Sequence, residues 1–208
     1  MKPRTTVAYV ARHGSTKLNG SNCFRGRIDV DLDAEGRRDA NRLAFYFEPI
    51  EICEIVSSDR KRAEQTADIV AQKKGMEVYT TPSIRAWNVG DFSGKEKTEE
   101  TVAEFEQYVQ NPRLQVPGGE SLNEFKGRVR PAIEEALEIG IREGKPIFLL
   151  GHSSIIHEIS AMFAGHHEAV LVEPGGAIEI FLTEDGLSCE AIFKPREAPP
   201  RSGADTVS

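Results

Sequence analysis

The sequence predicts an α/β protein, a three-layer sandwich in which helices cover both faces of a mostly parallel sheet. Short apolar segments alternate along the chain with longer segments of helical periodicity, which is the pattern of parallel sheets. The clearest strand, Ile147–Leu150, is apolar at every position, as expected of a strand buried on both faces. The 208 residues, of which 39% are hydrophobic, suffice for one core without disulfides or metal.

The first half of the chain contains three predicted strands and two predicted helices. Thr5–Ala11 is apolar and β-branched and breaks at the turn Arg12-His13-Gly14, which predicts a buried strand. Asp33–Phe47 has apolar residues at helical spacing, with Asp33 as the N-cap. The other predicted elements are the strand Glu54–Ser57, the helix Asp59–Lys74 with Gly75 as its stop, and the strand Glu77–Thr80.

Chain breakers divide the second half. Asn111-Pro112 and the turn Pro117-Gly118-Gly119 separate two predicted helices, Thr98–Gln110 and Ser121–Gly140. The strand Ile147–Leu150 and a helix from about Ser154 to Ala164 follow, and a hairpin of Ala177–Leu182 and Ser188–Phe193 turns at Glu184-Asp185-Gly186.

Composition predicts a single domain over residues 1–195 and a disordered tail over residues 196–208, which is rich in proline and small polar residues. No apolar run is long enough to cross a bilayer, and no signal peptide is recognisable. The net charge of −7 argues against nucleic acid and anionic membranes as partners. The oligomeric state stays open, with a homodimer as one candidate.

Three cysteines, Cys23, Cys53 and Cys189, are distant from one another and lack CxxC spacing. This argues against a disulfide framework and a zinc ribbon and predicts a cytoplasmic location. His152 and His157 are five residues apart, a spacing that does not place both on one helical face, so no metal site is predicted.

Two histidines and two arginines follow the ends of predicted strands. Arg12 and His13 follow the first strand, His152 follows Ile147–Leu150, and Arg62 lies just beyond the strand Glu54–Ser57. Because ligands of open α/β sheets bind beyond the carboxyl ends of the strands, we expect these four side chains to converge.

The four residues suit phosphate chemistry. Guanidinium groups match phosphate oxygens and stay charged, and a neutral imidazole can attack phosphorus to give a phosphohistidine. Phosphoryl transfer requires mainly positioning and stabilisation of negative charge, which arginines and imidazoles can provide without a metal ion. A helical turn beginning at Ser15 and Thr16 would add free N–H groups for an anion.

Five motifs occur in an order that resembles the histidine phosphatase superfamily, which includes the cofactor-dependent phosphoglycerate mutases. The resemblance extends over roughly residues 5 to 160. The matching segments are Ala11-Arg12-His13-Gly14-Ser15-Thr16, Phe24-Arg25-Gly26 with Asp29 and Leu32, Ser57-Ser58-Asp59-Arg60-Lys61-Arg62, Pro117-Gly118-Gly119-Glu120-Ser121, and Leu149-Leu150-Gly151-His152-Ser153.

The resemblance implies a role for each matched residue. His13 would be the nucleophile, Arg12, Arg62 and His152 would hold the phosphoryl oxygens, and Asn19 would be a further phosphate contact. The family needs no metal or other cofactor for this step. Arg25 and Arg85 are each either a substrate contact or a solvated charge.

One position departs from the family pattern. The segment that usually carries the general acid as Leu-Arg-Glu reads Ile84-Arg85-Ala86 here, and alanine cannot transfer a proton. Three interpretations stay open: Asp91 supplies the acid from the same loop, another carboxylate such as Glu120 does so, or no acid exists. General acid catalysis is typically worth about 10²–10⁴-fold, so its loss affects poor leaving groups most.

The sequence therefore predicts a metal-independent phosphomonoester hydrolase that acts through phosphohistidine on a small phosphorylated metabolite. The alternatives are mutase-type phosphoryl transfer and a pseudo-phosphatase that binds phosphorylated ligands without turnover; a serine hydrolase built on Ser153 is a more distant possibility. Specificity is expected to come from residues 83–120.

Overall fold

A computed structural model describes residues 4–163, 170 and 172–196 of the chain. These residues form a six-stranded sheet and five α-helices. The strands are β1 (Thr5–Arg12), β2 (Ile55–Ser58), β3 (Val78–Thr81), β4 (Ile147–Gly151), β5 (Ala177–Thr183) and β6 (Gly186–Phe193), and the helices are α1 (Ala34–Phe47), α2 (Lys61–Lys74), α3 (Glu99–Gln110), α4 (Leu122–Glu143) and α5 (Ser153–Phe163).

The sheet is mixed, with the strand order β3-β2-β4-β1-β5-β6. The pairs β1/β4, β2/β4 and β2/β3 are parallel, and β1/β5 and β5/β6 are antiparallel. This confirms the predicted mostly parallel sheet and the predicted hairpin. The parallel strands β1, β2 and β4 therefore end at the same edge.

Helices cover both faces of the sheet, as the sequence predicted. On β4, Ile147 and Leu149 pack into a cluster with α4 and α5, whereas Phe148 and Leu150 pack into a second cluster with α1 and α2. Successive side chains of a strand point to opposite faces, so an all-apolar strand is what a three-layer arrangement requires.

The predicted helix boundaries differ from the observed ones by a few residues. Asp33 caps α1 by accepting a hydrogen bond from the Gly36 amide at 2.7 Å, as predicted. Helix α2 begins at Lys61, two residues later than predicted, and Asp59 precedes the helix with its carboxylate bonded to Arg85. Ala164 and most of the predicted tail lie outside the described residues; within that tail, Arg196 forms an ion pair with Asp39 at 3.4 Å.

Residues 83–120 form a small cluster of their own beside the edge where β1, β2 and β4 end. Phe24 joins the cluster because residues 22–24 run against residues 94–97, with an isolated bridge between Cys23 and Glu96. Its buried members are Phe24, Val89, Phe92, Tyr108 and Val116, and Trp87 and Phe105 pack against them. Within the described part of the chain, no helix is long and apolar enough to cross a membrane.

Candidate active site

The predicted convergence of the two histidines is observed. Arg12 is the last residue of β1, and the amide of His13 donates to the carbonyl of Gly151 at 3.0 Å. His152 follows β4 directly, and the two imidazole rings lie edge to face with centroids 5.2 Å apart. Parallel pairing of β1 with β4 thus joins residues that are distant in the sequence.

His13 is held as a neutral imidazole with a defined tautomer. Its Nδ1 lies 2.8 Å from the carbonyl oxygen of Gly14, which can only accept, so the ring proton is on Nδ1. Nε2 keeps its lone pair and accepts a hydrogen bond from Nε of Arg62 at 3.1 Å. Burial, and then the charge of Arg62, hold the pKa of His13 well below its usual range. Nε2 is therefore available as a nucleophile.

Arg62 is fixed in the first turn of α2. It donates to the carbonyl oxygens of Ile28 at 2.7 Å and Gly26 at 3.3 Å. Burial lowers the pKa of Arg62 to about 10, so its guanidinium stays charged at neutral pH. Thr66 ties this turn to the signature loop, because its hydroxyl donates to the Arg62 carbonyl and accepts from the Gly14 amide.

His152 and Arg12 each present a buried nitrogen that has no hydrogen-bond partner among the described residues. These atoms are Nδ1 of His152 and Nε of Arg12. Nε2 of His152 lies 3.0 Å from the hydroxyl of Ser58, and one terminal nitrogen of Arg12 donates to the carbonyl of Val172 at 2.9 Å. An unpaired buried polar group is costly. An anion with several acceptor oxygens would satisfy Nε of Arg12, and also Nδ1 of His152 in the tautomer that carries the proton there.

Positive charge in the site is not neutralised by an ion pair with any carboxylate in the part of the chain that the structure describes. Burial, and then the charge of Arg25, lower the pKa of Arg12 to about 10, while burial and the charge of Arg62 hold the pKa of His152 well below its usual range. Of the arginines that the described structure buries at least partly, only Arg12, Arg25 and Arg62 lack an ion pair with a carboxylate. All three line one pocket of about 180 Å³.

No aspartate or glutamate lines this pocket among the residues described. A fourth cation, Lys97, does so, and it lies over the Phe24 ring with its Nζ 5.3 Å from the centroid. The pocket is lined by Arg12, His13, Thr16, Leu18, Cys23, Phe24, Arg25, Gly26, Ile28, Val30, Arg62, Ala86, Trp87, Val89, Lys97, His152, Ser153 and Ser154. Such a site is complementary to an anion.

Ser15, Thr16 and Asn19 mainly build the loop. Two carboxylates hold Ser15, since its amide donates to Asp39 and its hydroxyl to Asp33, both at 3.1 Å. Oδ1 of Asn19 accepts from the Thr16 amide at 3.0 Å and from its hydroxyl at 2.7 Å. The prediction of free N–H groups at Ser15 and Thr16 was therefore wrong.

Of these three side chains, only Thr16 lines the pocket. Ser15 and Asn19 lie in an adjoining cavity of about 510 Å³, which also contacts Arg12 and Arg25. The predicted phosphate contact from Asn19 is thus displaced from the two histidines.

The structure does not place Arg85 or Asp91 in the pocket, which corrects both expectations. The guanidinium of Arg85 forms a bidentate ion pair with the carboxylate of Asp59. Asp91 is exposed in a short 3-10 turn, and its carboxylate lies beside Gly118. Val89 and Phe92 occupy the buried positions of this turn, so the side chain between them is directed outward.

Glu120 is not a free acid either. Arg27 at 3.0 Å, Arg128 at 2.7 Å and the amide of Asn88 at 2.8 Å bind its carboxylate. Burial opposes ionisation, but the bonds from Arg128 and Asn88 outweigh it and hold the pKa of Glu120 below its usual value. Ala86, at the position of the missing glutamate, does line the pocket. No carboxylate among the described residues lines the pocket, which agrees with the third interpretation, that no acid exists.

Ser58 and Lys97 are functional candidates that the sequence reasoning missed. Ser58 lies within a matched motif, and its position at the end of β2, the strand paired with β4, was the available signal. Nothing in the sequence indicated Lys97. The pairing of residues 22–24 with residues 94–97, which brings Lys97 to the pocket, is a tertiary contact.

The fold and the paired imidazoles with their guanidinium groups define an α/β protein with a buried, positively charged site. The sequence matches the profile of the histidine phosphatase superfamily (branch 1) over residues 8–182, and the chain belongs to that family. The predicted family resemblance is thereby confirmed.

Two sequence relatives of the chain carry a mutase name. It is 33% identical over 136 residues to a probable phosphoglycerate mutase GpmB of Yersinia enterocolitica, spanning 63% of each chain. It is 31% identical over 148 residues to the protein of that name in Escherichia fergusonii, spanning 69% of this chain and 68% of that one.

Solved structures share the fold. A phosphoglycerate mutase from Bacillus anthracis has a TM-score of 0.77 at 20% identity, covering 93% of this chain and 95% of that one. A mycobacterial glucosyl-3-phosphoglycerate phosphatase has a TM-score of 0.74 at 21% identity, covering 94% and 100%.

Proposed function

We propose that this protein is a metal-independent phosphomonoester hydrolase that acts on a small phosphorylated metabolite through a phosphohistidine at His13. The observation that carries this proposal is that the unprotonated Nε2 of His13 lies in one pocket with two buried nitrogens that lack partners among the described residues, Nε of Arg12 and Nδ1 of His152. The nucleophile and the groups that would bind the equatorial oxygens lie in one pocket.

The reaction proceeds in two displacements. Nε2 of His13 attacks phosphorus, the bond to the leaving oxygen breaks, and that oxygen keeps the electron pair. Arg62, whose Nε donates to Nε2 of His13, transfers this hydrogen bond to a phosphoryl oxygen as the new bond forms. Water then attacks phosphorus, the electrons of the P–N bond return to Nε2, and the proton that water loses passes to the phosphate and to solvent. Arg12 and Arg62 neutralise the charge for which other phosphotransferases use a metal ion.

Substitution of the nucleophile tests the proposal. His13→Ala is expected to lower hydrolysis of p-nitrophenyl phosphate by at least about 10³-fold and to abolish labelling of the protein by radioactive phosphate. His157→Ala is the control, because His157 is an exposed histidine outside the pocket. Retention of most of the activity in His13→Ala would exclude the mechanism.

Mutase activity is the second candidate, favoured by the names of the relatives at 30–33% identity. A mutase must protonate and deprotonate its substrate in both directions, and no carboxylate lines the described pocket. Incubation with a monophosphoglycerate distinguishes the two, since a hydrolase releases inorganic phosphate and a mutase accumulates the isomer. Binding of the phosphoester with neither product would indicate a pseudo-phosphatase.

A further inference from the structure

Among the described residues that line the pocket, no carboxylic acid is available to the departing oxygen. Ala86 occupies the position of the expected acid, and the two neighbouring candidates, Asp91 and Glu120, are respectively turned outward and bound to two arginines. A substrate whose leaving oxygen must be protonated during bond cleavage is therefore expected to react slowly.

The pocket instead offers cations and aromatic surface to the leaving group. Arg25 is half-buried without a carboxylate partner in the described structure, and Lys97 lies over the ring of Phe24. Phe24 and Trp87 line the same pocket. Phe24 is fixed by backbone hydrogen bonds to Lys95 at 3.0 Å and from Gly94 at 2.8 Å, so this wall is built into the fold.

From these observations, and resting on the hydrolase function proposed above, we propose that the substrate is a phosphate monoester of an acidic hydroxyl, aromatic or enolic. Such a leaving group departs as an oxyanion without a proton. Nε2 of His13 gains the bond to phosphorus, the leaving oxygen keeps both electrons, and solvent protonates it after release. The charges of Arg25 and Lys97 stabilise the developing oxyanion, and the rings of Phe24 and Trp87 pack against its planar body.

A leaving-group series measured on two variants tests this. The series runs from substituted phenyl phosphates through an enol phosphate to alkyl phosphates. In the wild type, kcat/KM is expected to fall steeply as the pKa of the leaving group rises. Ala86→Glu is expected to raise alkyl phosphate hydrolysis by about 10²-fold and to change p-nitrophenyl phosphate hydrolysis by less than about threefold.

Ala86→Gln is the matched control, because it adds a side chain of the same shape without a transferable proton. Equal wild-type rates on phenyl and alkyl phosphates, or equal alkyl rates in Ala86→Glu and Ala86→Gln, would overturn the substrate class while leaving the hydrolase intact. No turnover of any member and no labelled His13 would instead overturn the hydrolase itself. The wild-type series decides the question even if the variants fail to fold.

The two cations provide an independent measurement. Arg25→Gln and Lys97→Gln are expected to steepen the leaving-group dependence, since each removes a charge that stabilises the departing oxyanion. Lys95→Gln is the control, because Lys95 lies over the Phe92 ring at 4.7 Å and does not line the pocket. An unchanged slope in both pocket variants would contradict the assigned role.

Discussion

At the scale of single residues, the site is defined by where protons lie on two imidazoles. The Gly14 carbonyl fixes the proton of His13 on Nδ1, which leaves Nε2 free to attack. Ser58 is to His152 what Gly14 is to His13, a neighbour that bonds one ring nitrogen: its hydroxyl lies 3.0 Å from Nε2 of His152. If Ser58 donates, the proton of His152 is on Nδ1, which is the buried nitrogen without a partner. That nitrogen then donates to the phosphoryl group.

Removal of the Ser58 hydroxyl is expected to disturb this tautomer. Ser58→Ala should lower kcat/KM for p-nitrophenyl phosphate by about tenfold, because Nε2 of His152 loses its donor and the proton is no longer confined to Nδ1. The ¹⁵N chemical shifts of the His152 ring, assigned with a His152→Gln variant, report the tautomer directly.

Ser57→Ala is the matched control for this experiment. Ser57 is also fully buried, but its hydroxyl donates to the carbonyl of Ser58 at 2.9 Å and does not bond His152. A wild-type spectrum with the His152 proton on Nε2 would refute the assigned role of Ser58.

At the scale of elements, close packing positions the strands that carry the site. Helix α4 crosses β1 with Gly140 so close that a Cβ atom there would lie 2.1 Å from the carbonyl oxygen of Val7. Gly127 lies in the same helix, with nothing within 4 Å of an added Cβ. The sequence prediction took Gly140 as the end of this helix, but α4 continues to Glu143. The glycine therefore serves packing between α4 and β1.

Alanine substitutions at these two glycines are expected to change the free energy of unfolding in opposite directions. Gly140→Ala is expected to reduce the free energy of unfolding by about 1–3 kcal/mol, because the helix must shift away from β1. Gly127→Ala is expected to raise it by about 0.5–1 kcal/mol, since alanine favours the helix and meets no neighbour. Urea denaturation measures both changes, and a stabilising Gly140→Ala would contradict the close contact.

At the scale of the whole molecule, the buried neutral histidines link stability to pH. The folded state lowers the pKa of His13 and His152, mainly through burial, whereas both titrate near their ordinary value in the unfolded chain. Below that value the unfolded state binds more protons than the folded state, so stability is present above it and is lost as the pH falls.

The expected loss between about pH 7.5 and pH 5.5 is about 1.4 kcal/mol of unfolding free energy for each histidine that stays neutral in the folded state. Urea denaturation at the two pH values measures it. The double variant His13→Asn/His152→Asn is expected to show a smaller pH dependence than the wild type. A wild-type free energy of unfolding that does not change across this range would contradict the burial of both rings as neutral groups.

Much of the fold could be predicted from local sequence. The all-apolar β4, the Asp33 cap and the breakers around Asn111 and Pro117 act over a few residues, so each element was recognised with small boundary errors. The start of α2 was mispredicted by two residues: Asp59 lies before the helix and is bonded to Arg85, a residue 26 positions away.

The sequence by itself determined the strand–helix alternation, the family, and the strand-end residues His13, Arg12, Arg62 and His152, because these follow from periodicity and from motifs that lie within single segments. Only the tertiary structure decided where the candidate acids Asp91 and Glu120 lie. The outward turn of Asp91, the binding of Glu120 by Arg27 and Arg128, and the approach of Lys97 to Phe24 depend on contacts between distant segments. Local sequence does not determine which way a loop side chain faces, because the packing of neighbouring residues fixes that direction.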